Sequence, residues 1–222
     1  MKVVLVAGHL EKDFAEQFLK KINPDDQLVG IDYGAYFLIE AGFKLALAVG
    51  DFDSLSASQL EKVKKETPEV ILLPAEKDDT DTQAALVKAL EKFPEATQYI
   101  LLGAIGGRID HFLANLYLPL ESRFYPVMKK IQLQSSDNQI NFFAPGQYTI
   151  EKNPEMTYLA YVALVPVVNL SLTKSRYTLD NQIVSQPFSF ASNEFIGSTA
   201  EFSFDSGVIA VIQSRDQIKK DR

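Results

Sequence analysis

Five short runs of almost uninterrupted apolar residues, at 3–7, 27–32, 45–49, 70–73 and 99–102, constrain this chain more than any other feature. A strand with one face in water alternates apolar and polar residues; runs without that alternation are buried on both faces, as in a parallel sheet. Between the runs, residues 13–22, 35–41, 57–66 and 80–93 carry helical patterns. Strand and helix in alternation predict an open, mostly parallel α/β sheet with right-handed crossovers. In that architecture ligands gather beyond the carboxyl ends of the strands. The residues directly following each strand are therefore where a site is expected.

Those residues are unusually acidic. Asp32-Tyr33-Gly34-Ala35 follows the second strand and Gly50-Asp51-Phe52-Asp53-Ser54 the third. Lys77-Asp78-Asp79-Thr80-Asp81-Thr82 lies past the fourth, and Gly103-Ala104-Ile105-Gly106-Gly107-Arg108-Ile109-Asp110-His111 follows the fifth. If the segment at 51–53 is extended, Asp51 and Asp53 point the same way and aim two carboxylates at one spot. Mg²⁺ is the ordinary answer to that repulsion, a hard ion that takes a few carboxylate oxygens and leaves positions for phosphate. The bland alternative is a polar turn whose aspartates cap a helix. Asp78 and Asp81 share a face at a helix start, one as a cap and the other as a candidate to complete the metal site. Gly106 and Gly107 offer backbone N–H groups where a helix dipole favours anions, and Arg108 beside them can clamp a phosphate in a forked geometry. His111 is either a general base or a histidine hydrogen-bonded to Asn115 or nearby backbone. The glycine loop lacks the lysine-serine ending of a P-loop, which excludes a Walker-type nucleotide site.

Near residues 122–130 the pattern changes, and beyond them the chain reads as all-β. Residues 130–134 and 139–143 flank Ser135-Ser136-Asp137-Asn138, a hairpin signal. Further short runs at 147–151, 157–165, 169–173, 199–204 and 208–213, separated by turn residues, predict a compact β-sandwich. Ser192-Asn193-Glu194-Phe195 reads as a loop whose polar groups, among phenylalanines, suit a heteroaromatic ligand. The polar tail, 214–222, is expected to fray. The expected division is residues 1–125, an α/β domain, and residues 126–222, a β-sandwich domain.

The net charge of −7 argues against a nucleic-acid backbone as partner. Cysteine is absent, which excludes disulfides and thiolate metal sites and fits a reducing compartment. The first apolar run is too short for a signal peptide or a membrane span, so the expected location is the cytoplasm.

Taken in order, these segments resemble the thiamin pyrophosphokinase family. The specific pieces are Asp51-Phe52-Asp53-Ser54 and Gly106-Gly107-Arg108-Ile109-Asp110-His111; Asp32-Tyr33-Gly34-Ala35, Lys77-Asp78-Asp79-Thr80-Asp81 and Ser192-Asn193-Glu194 add to them. The resemblance implies transfer of a pyrophosphoryl group from ATP to the hydroxyl of thiamin, giving thiamin diphosphate and AMP. It implies a homodimer with active sites at the subunit interface. By position, Asp51, Asp53 and Asp81 are the implied Mg²⁺ ligands, and Arg108 and Asp110 join them as catalytic residues. Asp32, Gly34, Lys77, Thr80, Gly106, Gly107 and Arg108 are implied at ATP, and Ser192 and Asn193 at thiamin. Two departures stand out: Tyr33 replaces a usual glycine, and the chain has no tryptophan to stack on thiamin.

Two other readings compete. An aspartyl-phosphate phosphatase also uses an Asp-x-Asp motif, but directly after its first strand rather than its third. A nucleotide-binding sensor without chemistry would need no clustered aspartates.

Overall fold

The computed structural model describes residues 1–216, and the chain divides into two compact units. The first comprises Met1–Leu116 and Lys130–Ser136; the second comprises Tyr117–Lys129 and the chain from Asp137 onward.

The first unit runs β1 (Lys2–Val6), α1 (Lys12–Leu19), β2 (Gln27–Ile31), α2 (Tyr33–Glu40), β3 (Leu47–Gly50), α3 (Ala57–Glu66), β4 (Val70–Leu72), α4 (Asp81–Lys92), β5 (Gln98–Leu102) and α5 (Ile109–Tyr117). A last strand, β6 (Ile131–Gln134), completes it. The strands lie in the order β6-β5-β1-β2-β3-β4, every pair parallel. The apolar runs are buried on both faces as their composition requires: Val3, Val4, Leu5 and Val6 are all fully buried, as are Leu47, Ala48 and Val49. Each buried valine or leucine among them contributes about 1.5–3 kcal/mol through burial. Helix starts follow from local chemistry. Ser56 and Thr80 each form a capping box with a glutamine three residues on, Gln59 and Gln83, which satisfies donors that a helix end leaves open.

Ile131–Gln134, which the sequence groups with the all-β half of the chain, is also the sixth parallel strand of the first unit, alongside β5. The sequence Ile-Gln-Leu-Gln alternates like a half-solvated strand, yet all four residues are buried. Gln98 donates to Gln132, Gln132 to Gln134 (2.8 Å) and Gln134 to the Ser135 carbonyl (3.0 Å), so the buried amides satisfy one another.

The second unit holds eight strands among the described residues: β7 (Asn138–Phe143), β8 (Gly146–Glu151), β9 (Tyr158–Ala163), β10 (Val167–Thr173), β11 (Leu179–Val184), β12 (Phe188–Asn193), β13 (Thr199–Phe204) and β14 (Ile209–Ser214). They form two antiparallel layers, β12-β9-β14-β7 and β11-β10-β13-β8. One core joins the layers, with Leu159, Tyr161 and Val211 from the first meeting Leu172, Phe202 and Phe204 from the second. Phe143, Tyr148 and Phe202 pack edge-to-face and stacked, with ring centres 4.8–5.1 Å apart. The α/β sheet followed by an antiparallel β-sandwich is the expected architecture. Strands β11 and β12 escaped the sequence reading because they mix polar and apolar residues without a buried stripe and are largely exposed. Ser192 and Asn193 end β12 rather than lie in a loop, past a register shift between Phe190 and Asn193. Of the tail, Ser214 closes β14 and Arg215 bonds Asp137; residues 217–222 lie outside the described residues.

Candidate active site

The strand order of the first unit reverses between β1 and β5, and a crevice is expected at that switch point. A cleft of about 410 Å³ lies there. Ala7, Gly8 and His9 border it after β1, Asp32 after β2, Thr80 and Asp81 at the start of α4, Gly106, Gly107 and Arg108 after β5, and His111 and Asn115 on α5.

Strands β2 and β3 are neighbours, with Ile31 opposite Val49, so the residues that follow them emerge side by side. Asp32 and Asp51 are those residues, and α4 brings Asp81 to them. Asp32, Asp51 and Asp81 each offer a carboxylate oxygen, and these atoms all lie within 4.8 Å of one another. Asp32 holds an unusual backbone conformation, φ 47° and ψ −122°, of a kind that costs about 1–3 kcal/mol and persists only where its surroundings enforce it. The enforcement is visible: its N–H donates to the Val49 carbonyl (3.2 Å), its carbonyl accepts from Ala35 (3.0 Å), and its Oδ1 accepts from the Phe52 N–H (3.1 Å). Gly50 is required beside it, since a β-carbon there would stand 1.9 Å from Asp32 Oδ1. Burial, then the nearby Asp81 charge, pushes Asp32 up to about 6 despite the Phe52 bond.

The extended conformation expected at 51–53 is not adopted. Phe52 has φ 56° and turns its ring into the core, 2 % exposed. Asp53 is thereby left exposed, outside the three-carboxylate group, while its N–H donates to Asp51 Oδ1 (3.2 Å). Asp51 also accepts from Lys77 Nζ (3.0 Å). Burial raises the Asp51 carboxyl, but the Asp53 N–H and Lys77 outweigh it and hold it below the usual value. Lys77 Nζ lies 2.9 Å from Asp81 Oδ1 as well. Burial works against the lysine charge, and the two carboxylates more than restore it. Asp78 is exposed and apart; Thr80, not Asp78, caps α4.

The remaining expected residues are placed as follows. Gly34 is buried where α2 crosses β1, and a β-carbon on it would meet the Val6 carbonyl at 1.9 Å. Tyr33 turns toward Lys12 and Tyr36. Gly106 and Gly107 have φ of 91° and 67°, a turn that suits glycine. The His9 ring covers them closely enough that a β-carbon on either would come within 3.1 Å of it. His9 was not foreseen as a site residue; its place directly after the first strand was the available signal. Asn115 donates to the Ala104 carbonyl (3.0 Å), pinning the glycine loop to α5 rather than bonding His111. Arg108 pairs with Asp110 through two contacts, 3.2 and 2.6 Å, both side chains exposed. The Arg108 bond, against a small burial effect, holds the Asp110 carboxyl below its ordinary value.

In the second unit Asn193 is 2 % exposed. Its Oδ1 accepts from the N–H groups of Tyr177 and Glu194, both at 2.9 Å, and its Nδ2 donates to the Tyr177 carbonyl (2.8 Å). Ser192, next to it, is exposed with φ 59°.

Fold and site together define an α/β enzyme domain with a metal-competent acidic cleft at its switch point, followed in the chain by a β-sandwich unit. Residues 18–133 match the family "Thiamin pyrophosphokinase, catalytic domain", and residues 147–209 match "Thiamin pyrophosphokinase, vitamin B1 binding domain". Thiamine pyrophosphokinase of Bacillus subtilis (strain 168) is 37% identical over 193 residues, 85% of this chain and 87% of that protein. A crystal structure of a thiamin pyrophosphokinase family protein from Enterococcus faecalis is 51% identical, with a TM-score of 0.91 over 98% of this chain and 100% of that one. A Lactobacillus plantarum protein structure is 39% identical, with a TM-score of 0.85 over 98% and 100% of the two chains. The chain belongs to the thiamin pyrophosphokinase family.

Proposed function

We propose that this chain binds ATP with Mg²⁺ in the switch-point cleft and transfers a pyrophosphoryl group to thiamin, forming thiamin diphosphate and AMP. The observation that carries this reading is the group Asp32, Asp51 and Asp81, two of which, Asp32 and Asp81, border the same cleft as the Gly106-Gly107-Arg108 turn. The donor set fits Mg²⁺: all oxygen, few in number, and open on the cleft side for phosphate. Asp51 and Asp81 would serve as ligands with Asp32 beside them, while Asp53 stands exposed outside the group. Mg²⁺ there supplies charge neutralisation and a common anchor for phosphate oxygens.

The chain's own groups do the positioning. The Gly106-Gly107 turn presents backbone N–H groups to phosphate, and Arg108 leaves Asp110 to add positive charge as the leaving group develops. Lys77 and the Thr80 end of α4 face the same triphosphate. The thiamin oxygen forms its bond to the β-phosphorus as the bond to the α,β-bridging oxygen breaks; AMP departs with that electron pair and the hydroxyl proton is released. A loose transition state asks little of a base, and none is assigned.

Ser192 and Asn193 are read as the thiamin end, Asn193 by shaping the Tyr177 turn and Ser192 by offering an exposed hydroxyl. Residues 147–209, which contain them, match a vitamin B1 binding family. The active form is read as a homodimer with the site at the subunit interface, as the family resemblance implies, and the location as cytoplasmic. Among the described residues no helix is long and apolar enough to cross a membrane.

The test is to supply ATP, Mg²⁺ and thiamin and separate the products. Equal amounts of AMP and thiamin diphosphate, without thiamin monophosphate, are expected. ADP with thiamin monophosphate would overturn the proposed reaction.

A further inference from the structure

The ammonium of Lys77 occupies a particular place. It sits 3.0 Å from Asp51 Oδ2 and 2.9 Å from Asp81 Oδ1, and its remaining donor reaches the Pro74 carbonyl at 3.2 Å. Only 14% of the side chain is exposed. A lysine so enclosed has given up most of its water and is held by the carboxylates instead. Those two aspartates are also two of the three groups that would hold the metal.

A divalent ion binds carboxylate oxygens at about 2.1 Å. Seated on Asp51 and Asp81, it would share both anions with the ammonium, two cations drawing on the same charge at close range. The lysine and a bare ion are therefore rivals, and the lysine has the advantage of being tethered. It leaves most readily when another anion receives it. A polyphosphate arriving with the ion brings that anion, because its non-bridging oxygens accept an ammonium as readily as carboxylates do.

We infer that Lys77 is a tethered stand-in for the metal, which makes the site receptive to a metal–polyphosphate complex rather than to the bare ion. On arrival of the complex, Lys77 exchanges the two carboxylates for phosphate oxygens, and the ion takes the carboxylates. This rests on the reading of Asp51 and Asp81 as metal ligands. It adds the order in which charges are exchanged, and it makes Lys77 a positioning residue for the nucleotide.

The test uses the full chain without nucleotide and Mn²⁺ alone as probe, with free ion followed by electron paramagnetic resonance and Mg²⁺ titrations by calorimetry as a second measure. Lys77→Met and Lys77→Gln are each expected to bind Mn²⁺ about tenfold or more tighter than the unsubstituted protein. Their metal-free melting temperatures should fall, and Mn²⁺ should raise them by more than it raises that of the parent. With a non-hydrolysable ATP analogue present, the gain should vanish or reverse, because the variants then lack a phosphate contact. If either substituted protein binds Mn²⁺ no more tightly than the parent, while Asp81→Asn still weakens binding, the stand-in role is wrong and the metal site stands. If Asp51→Asn and Asp81→Asn leave Mn²⁺ binding unchanged, the metal reading fails and the inference falls with it.

Discussion

Asp32 shows at the scale of one residue how function is held against local preference. A half-buried carboxylate beside Asp81 and Asp51 is unfavourable, and its backbone is in a sparsely populated conformation. Both penalties persist because three hydrogen bonds and the absence of a β-carbon at Gly50 leave no alternative. The consequence for stability has a definite sign. Burial lifts this carboxyl from 3.8 to about 6, so in that window the folded protein holds more protons than the unfolded chain. Stability of the metal-free protein should therefore fall as pH rises from about 4 to 6 on account of this group, and stay flat above. Asp32→Asn keeps the oxygen that accepts from Phe52 but removes the charge. In EDTA at pH 7 it should stabilise the fold by roughly 1–2 kcal/mol after solvent screening, with a flatter pH profile, as read by urea unfolding at pH 4 to 7. Turnover should fall at the same time. A variant less stable than the parent at pH 7 would contradict this account.

Among the elements, those whose burial matches their composition were legible in sequence and the others were not. Strand β3, Leu47–Gly50, is apolar and buried, and nothing else fits it. Strand β6 is also buried, but its glutamines make it look half-solvated, and only their mutual hydrogen bonds reconcile the two. Strands β11 and β12 fail in the opposite sense: even apolar Ile183 and Phe188 stay exposed, and little is buried on either face. At the site, Asp51 and Asp81 could be read from motif and position. The close company of Asp32 depends on β2 lying next to β3, a fact of strand order that no local pattern carries. The left-handed turn at Phe52, which turns Asp53 outward, was likewise beyond reach, because phenylalanine gives no hint of positive φ. The glutamine ladder supports an expectation of its own. Gln132→Ala would strand the Gln98 donor and the Gln134 acceptor in a buried place, at a cost of about 1–3 kcal/mol. Chemical denaturation should show the loss; a change under 0.5 kcal/mol, the scale of an ordinary surface substitution, would mean that water replaces the amide at no penalty.

For the molecule as a whole, the open question is how many chains build one site. If Asn193 shapes a thiamin site that completes the partner's cleft, two inactive proteins should repair each other. Mixing Asp51→Asn with Asn193→Ala and allowing exchange should restore about a quarter of parental turnover, since half the dimers are mixed and each has one intact site. With exchange confirmed by mass spectrometry, no recovery would place each site within one chain. The path of the chain through its two units carries a separate consequence. The first unit takes its last strand, Ile131–Gln134, only after residues 117–129 have been given to the second. No single scissile position therefore releases both units whole. A fragment ending near residue 125 would keep the acidic cleft but leave one flank of Tyr99–Leu102 without a hydrogen-bonding neighbour, an invitation to self-association. Gene fusions, truncations and protease nicks that treat this chain as two beads on a string would cut through the weave.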